Sequence, residues 1–309
     1  MHSEPNPRSW QPAIATDRRC PFLLKTKEVL LTTPTNITSV GFIGLGDQGL
    51  PMATAIAESG FDLHVWVRRS ASLVPLTYTA HVAHDSIASL ASSVDVIALC
   101  VSTDDSVLQL VEEEILPHLG AGKTVINHGT GSPGNARRLR ELAETAGIFV
   151  LDAPVSGGRL GAEARALTVY VGGPADAVDS ATPVMQSYAT NIAHTGDSGS
   201  GQMTKLLNNA LLILNQAAIA DVLELGVQTG LSTTALVSSL RLGSADSRAL
   251  RLMNTMVTPD SVDHLAAVEA LDMNIFDDAM WEEGIDASAT VARGLSGADR
   301  LPAVIEQLN

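Results

Sequence analysis

Val40-Gly41-Phe42-Ile43-Gly44-Leu45-Gly46-Asp47-Gln48-Gly49 is the stretch that decides the fold. Its first four residues form a buried-strand run, and the last six fit G-x-G-x-x-G. The pattern predicts a strand, a tight turn and a helix over 50–59, with Pro51 in the first turn and Gly60 closing it. In that setting each glycine has a separate task. The first turns the chain sharply, the second lets a pyrophosphate approach the backbone, and the third lets helix and strand pack closely. Free N–H groups at the helix start then favour the phosphates. A plain glycine-rich turn is the bland alternative, and the strand–turn–helix context argues against it. Gly44, Leu45, Gly46, Asp47, Gln48 and Gly49 are therefore read as a dinucleotide-binding turn.

The next strand, 63–67, indicates which dinucleotide. An NAD site usually ends this strand with Asp or Glu, which binds the ribose 2′-hydroxyl. Here Val67 is followed by Arg68, Arg69 and Ser70. No carboxylate is present to repel a 2′-phosphate, and guanidinium groups bind phosphate in a bidentate way. NADP is the expected cofactor, with NAD as the alternative; two solvated arginines in a turn would be the plain reading.

Strand and helix patterns alternate beyond this point. Apolar strand runs fall at 96–101, 124–127, 148–151, 167–171 and 192–195, with helical patterns such as 106–116 and 133–146 between them. This order implies a parallel, doubly wound sheet with helices on both faces. After 195 the strands stop, and Gly196, Gly199 and Gly201 mark a junction. A long helix then spans 202–229, apolar on nearly every face and so expected to be covered on all sides. The organisation expected is an extension without fixed structure over 1–37, a Rossmann domain over 38–198 and an all-helical domain over 199–309. The extension is mildly basic and broken by prolines, which also allows an organelle-targeting peptide or an over-long gene start.

Composition excludes several classes. A net charge of −15, with no Lys/Arg run, argues against nucleic-acid binding. Two cysteines, Cys20 and Cys100, cannot make a disulfide framework. No apolar stretch is expected to span a membrane, and a cytoplasmic location is expected. His81, His84 and Asp85 have a spacing that could bind a metal, but a surface turn explains them better, so no metal is expected. Glu112, Glu113 and Glu114 read as a solvated helix face, and Asp104 and Asp105 as helix caps.

Three further stretches carry a family resemblance. Asp152-Ala153-Pro154-Val155-Ser156-Gly157-Gly158 is the most specific, Gly201-Gln202-Met203-Thr204-Lys205-Leu206-Leu207-Asn208-Asn209 fits G-x-x-x-K-x-x-x-N, and Leu271-Asp272 is a weaker match. With Gly41–Gly46 these resemble the β-hydroxyacid dehydrogenases, the group of 3-hydroxyisobutyrate dehydrogenase, tartronate semialdehyde reductase and, more distantly, 6-phosphogluconate dehydrogenase. The resemblance runs from Val40 to Pro302. It implies hydride transfer between NADP(H) and a 3-hydroxy acid or the matching semialdehyde, with Lys205 as general acid/base and Asn209 orienting the substrate. It implies that Ser156, Gly157 and Gly158 hold the substrate carboxylate and that Thr130 lines the nicotinamide site. Val101 and Ser102 are assigned to the cofactor as well. The resemblance also implies a homodimer or homotetramer assembled through the C-terminal domain.

The residues support the central pair independently. Lys205 and Asn209 are four apart and share a helix face. A lysine within so apolar a helix is partly desolvated, which moves its pKa toward neutrality. A snorkelling lysine is the alternative. Departures from the family pattern are Asn127-His128-Gly129 in place of Asp-x-Ser, Arg165-Ala166 in place of glycine and threonine, Asp221 in place of glutamate, and Leu271 in place of lysine. The alternatives to a dehydrogenase are an imine reductase-like enzyme, which usually lacks a lysine at the Lys205 position, and a non-catalytic NADP-binding sensor.

Overall fold

The computed structural model describes residues 36–101 and 104–309. The expectations for the basic N-terminal stretch up to residue 35, and for Ser102, lie outside the described residues.

Along Val96–Leu99, successive side chains enter different cores. Val96 and Ala98 join a cluster with Phe42, Met52, Ile56 and Tyr188, whereas Ile97 and Leu99 join one with Leu90, Val111, Ile115 and Leu139. A strand buried on both faces must be apolar at every position, which is why these runs read as continuous rather than alternating. The sheet holds β1 (Ser39–Ile43), β2 (Asp62–Trp66), β3 (Val82–Ala83), β4 (Val96–Leu99), β5 (Thr124–Asn127), β6 (Phe149–Asp152), β7 (Val155–Ser156), β8 (Leu167–Gly172) and β9 (Ala189–Gly196). Their spatial order is 3-2-1-4-5-6-8-7, and β9 pairs with β8. Pairing is parallel through β6, but β8 runs antiparallel to β6 and β7. The short antiparallel β7 gave no sequence signal, because two residues are too few to show a period.

Helices α1 (Gly49–Glu58), α2 (Ile87–Ser93), α3 (Asp104–Gln109), α4 (Pro133–Glu144), α5 (Gly158–Glu163) and α6 (Ala175–Met185) belong to the sheet layers. The expected 106–116 helix is α3 followed by a π-helical turn at Leu110–Ile115, with Glu112, Glu113 and Glu114 all exposed. Asp104 spends its carboxylate on another helix: it accepts from the Ser132 N–H at 2.6 Å and from Asn135 Nδ2 at 2.9 Å, at the start of α4. His84 bonds His64 at 2.8 Å and Ser89 at 2.9 Å.

From α7 (Ser200–Gln228) onward the chain is helical, through α8 (Thr233–Leu240), α9 (Arg248–Leu252), α10 (Val262–Glu282) and α11 (Ser288–Leu308). Two sequence expectations for α7 need correction. An 18-residue window of it reaches a mean hydropathy of 1.6, apolar enough by length and composition to cross a membrane, yet here it is the central helix, packed by α10 and α11. It is also not covered on all sides. Leu207, Leu211, Val222 and Leu225 form an exposed stripe at helical spacing.

Candidate active site

Gly44 leaves β1 with φ +104°, and a Cβ there would strike the Cys100 carbonyl, so only glycine makes this turn. Gly46 differs: a Cβ on it would meet nothing within 4 Å. The open side of the turn is therefore at the residue expected to face a pyrophosphate. Gln48 precedes α1 without a side-chain cap, and the first turn has no acidic residue, so the positive end of the helix dipole faces the turn without a side-chain anion. Asp47 is exposed, while Leu45 is half-buried against the core. Arg68 and Arg69 are both exposed just beyond β2, and among the described residues neither makes an ion pair. These residues fit a dinucleotide, and the open arginines fit a 2′-phosphate.

The turn after β5 lies beside the end of β4. A Cβ on Gly129 would come within 2.8 Å of the Val101 carbonyl, which places Val101 next to Gly129 and Thr130. Asn127 Oδ1 accepts from the Gly129 N–H at 3.0 Å. His128 is wholly buried, with Nδ1 2.8 Å from the Ala153 carbonyl and Nε2 3.0 Å from the Tyr188 hydroxyl. Burial depresses its pKa to about 4, so it is neutral and acts as a brace beneath the turn.

Asp152 ends β6 and caps the helix that carries Lys205. Its Oδ1 accepts from the Gly199 N–H at 2.8 Å and its Oδ2 from the Gln202 N–H at 2.9 Å. Burial pushes its carboxyl pKa up, against the lowering effect of these backbone donors. The same Asp152 opens the loop through Ser156, Gly157 and Gly158, with the two glycines at φ +133° and +61°. One residue thus fixes the candidate substrate loop to the lysine helix. Gly201 completes the joint: a Cβ there would strike the Asp152 carbonyl and lie 2.6 Å from the Tyr170 carbonyl. From the helical side, Met256 reaches over Gly158, within 3.7 Å of a Cβ placed there.

Lys205 is one turn further along α7 and only 9% exposed. Burial pushes its pKa below the ordinary lysine value, and the nearby Asp272 carboxylate opposes that shift. Asn209 Nδ2 donates to Asp272 Oδ2 at 2.7 Å. The chain continues outward, with Asn208 Nδ2 donating to Asn209 Oδ1 at 3.0 Å and the Tyr170 hydroxyl to Asn208 Oδ1 at 3.0 Å. Burial raises the Asp272 carboxyl pKa, with Lys205 and Asn209 opposing. Lys205, Asn209 and Asp272 are thus brought together. Leu271, expected to line the cleft, is 56% exposed.

The sequence reading missed three features: the role of Asp152 as a cap, the tertiary contacts of Gln202, and a buried Gln216–Glu269 pair behind Asp272. Gln216 Nε2 donates to Glu269 Oε1 at 2.9 Å. Only the last carried a usable signal, a glutamine and a glutamate inside apolar helical runs. The first two are contacts across about 50 and 70 residues of chain.

An anion-ready glycine turn, open arginines and a buried lysine against a carboxylate define a nicotinamide-dependent oxidoreductase. Comparison with known proteins gives the family. Residues 39–196 match the model of the NAD-binding domain of 6-phosphogluconate dehydrogenase, and residues 199–294 that of NADP-dependent 3-hydroxyisobutyrate dehydrogenase. The chain is 35% identical over 217 residues to an NAD-dependent L-serine dehydrogenase of Pseudomonas aeruginosa, covering 70% of this chain and 73% of that one. It is 34% identical over 220 residues to a 3-hydroxyisobutyrate dehydrogenase of the same organism, covering 71% and 74%. Among solved structures it is similar to 3-hydroxyisobutyrate dehydrogenase of Mycobacterium tuberculosis with L-serine, with a TM-score of 0.79 and 25% identity, covering 89% of this chain and 100% of that one. The chain belongs to the β-hydroxyacid dehydrogenase family.

Proposed function

We propose that the protein is an NADP-preferring β-hydroxyacid dehydrogenase that interconverts a 3-hydroxy acid and its semialdehyde, with Lys205 as general acid/base. The observation that carries this reading is the placement of Lys205: buried, acted on by Asp272, and on a helix capped by the first residue of the substrate loop. The Gly44–Gly49 turn would hold the nicotinamide cofactor, which would supply the hydride acceptor or donor. The chain supplies the rest. In the oxidation direction neutral Lys205 takes the hydroxyl proton at Nζ as hydride leaves the same carbon; in reduction its ammonium returns that proton. Burial lowers the Lys205 pKa from its ordinary value and so favours the neutral amine. Asn209, its amide held by Asp272 and Asn208, orients the substrate hydroxyl. The N–H groups around Gly157 and Gly158 receive the carboxylate.

Leu271, which stands where the family has a lysine, is 56% exposed on α10 and gives no ground for a preference for bulkier substrates. The substrate class proposed is therefore a 3-hydroxy acid or the matching semialdehyde. The test is steady-state kinetics with a panel of 3-hydroxyisobutyrate, L-serine, larger alkyl and aryl 3-hydroxy acids, and cyclic imines, in the parent and in Lys205→Ala. The variant should lose roughly 10²–10⁴ in rate while still binding NADPH. Near-normal turnover in Lys205→Ala would overturn the assigned role, and turnover of imines alone would move the protein to the C=N reductases.

A further inference from the structure

We propose that Gln202 is a positioning residue for hydride transfer, fixing the turn that carries Thr130 relative to Lys205. The inference rests on the reading of Lys205 and Thr130 given above. Gln202 lies one helical turn before Lys205 and is 1% exposed. Its Nε2 donates to the Gly129 carbonyl at 2.7 Å, and its Oε1 accepts from the Gly131 N–H at 2.8 Å. One planar amide therefore brackets Thr130 from both sides. Only one amide orientation satisfies both partners, since the donor must face the carbonyl and the acceptor the N–H. The backbone N–H of the same residue donates to Asp152 Oδ2. Gln202 thus joins the lysine helix, the nicotinamide-side turn and the root of the substrate loop.

The opposite side of the turn has no slack. A Cβ on Gly131 would overlap the Asp104 carboxylate, and one on Gly129 would crowd the Val101 carbonyl. Asp104 also holds the Ser132 N–H at 2.6 Å. Among the described residues, the turn is held from the side of Val101 and Asp104 by these contacts and from the α7 side by the hydrogen bonds of Gln202. Because Gln202 is buried, water cannot replace its two hydrogen bonds, so their loss leaves a backbone donor and acceptor unpaired. The turn would then relax away from Lys205. A displacement of about 1 Å between reacting groups can cost roughly 100-fold in rate.

The test compares Gln202→Leu with the parent, measuring NADPH affinity, kcat, KM, the pH profile and the primary deuterium isotope effect with substrate deuterated at the hydride-donating carbon. We expect kcat to fall about 10- to 100-fold, the substrate KM to change little, the isotope effect to rise, and the pH limb assigned to Lys205 to stay in place. A structural role alone would lower the melting temperature and the fraction of active sites while leaving the isotope effect and the rate per titrated site unchanged; that result overturns the proposal. If the leucine variant does not fold, Gln202→Met gives the same readout, because it keeps the length of the side chain but loses both the donor to Gly129 and the acceptor for the Gly131 N–H. Failure of the Lys205 reading shows separately, as activity surviving in Lys205→Ala.

Discussion

Asn209 and Asp272 meet across the α7–α10 contact, with the amide nitrogen 2.7 Å from the carboxylate. The carboxylate that holds Asn209 also acts on Lys205, so a single group on α10 orients one and opposes the burial that lowers the pKa of the other. Asp272→Asn removes the charge that raises the Lys205 pKa, leaving desolvation unopposed. In the oxidation direction activity rises with pH as Lys205 becomes neutral, so the rising limb of kcat/KM should move to lower pH in the variant. A limb that does not move would show that Asp272 is not coupled to the catalytic base.

Arg68 and Arg69 are open to a ligand at the end of β2, with no carboxylate before them to bind a ribose diol. Arg68→Ala should weaken NADPH binding by roughly ten- to a hundredfold, the worth of one guanidinium–phosphate contact, and leave NADH almost unchanged. Fluorescence titration with both cofactors decides this. Equal losses for both would remove the 2′-phosphate assignment.

Glu269 is 8% exposed, and among the described residues its Oε2 has no hydrogen-bond partner, nor has Gln216 Oε1. Burial, with Asp272 adding to it and the Gln216 bond opposing, lifts its pKa from 4.5 to about 7. An acid whose folded pKa is raised supports the fold fully below its unfolded value. That support is lost as the pH climbs through about 7. Glu269→Gln cannot ionise and supplies an N–H for Gln216 Oε1. It should gain about 1–3 kcal/mol over the parent at pH 8 and little at pH 5. Melting temperatures of both proteins at the two pH values test it, and a gain independent of pH would contradict the account.

The exposed stripe Leu207, Leu211, Val222 and Leu225 runs about 27 Å along α7. An exposed apolar stripe of this length calls for cover, and a second copy of the same helix would supply it by two-fold symmetry. The protein should therefore be a homodimer, or a homotetramer built from dimers, at micromolar concentration. Leu211→Glu should shift light scattering toward the monomer; a monomeric parent would reject the assembly.

Much of this architecture was legible in the chain because its signals are local. The G-x-G-x-x-G turn, the doubly buried strand runs and the Lys205–Asn209 spacing each sit within a few residues. Asp152 and Gln202 were not legible in their joining roles, because their partners lie far away in sequence and any acid or amide could have faced water. Leu271 shows the opposite limit. Its neighbour Asp272 turns toward α7, while the residue beside it, about 100° further round the helix, is exposed. The exposed stripe on α7 was hidden for a related reason: composition tells that a helix is apolar all round, but not which faces its own chain covers.

Gly201 has a kinetic consequence. Its Cα is pressed against the backbone of β6 and β8 so tightly that no methyl group fits, and Asp152 clamps the N–H groups on either side. A hinge at the start of α7 would have to break this close packing and both hydrogen bonds, so the joint between lysine helix and sheet resists opening. Any widening of the cleft for ligand exchange is expected at its rim, where Met256 overhangs Gly158, and not at this joint.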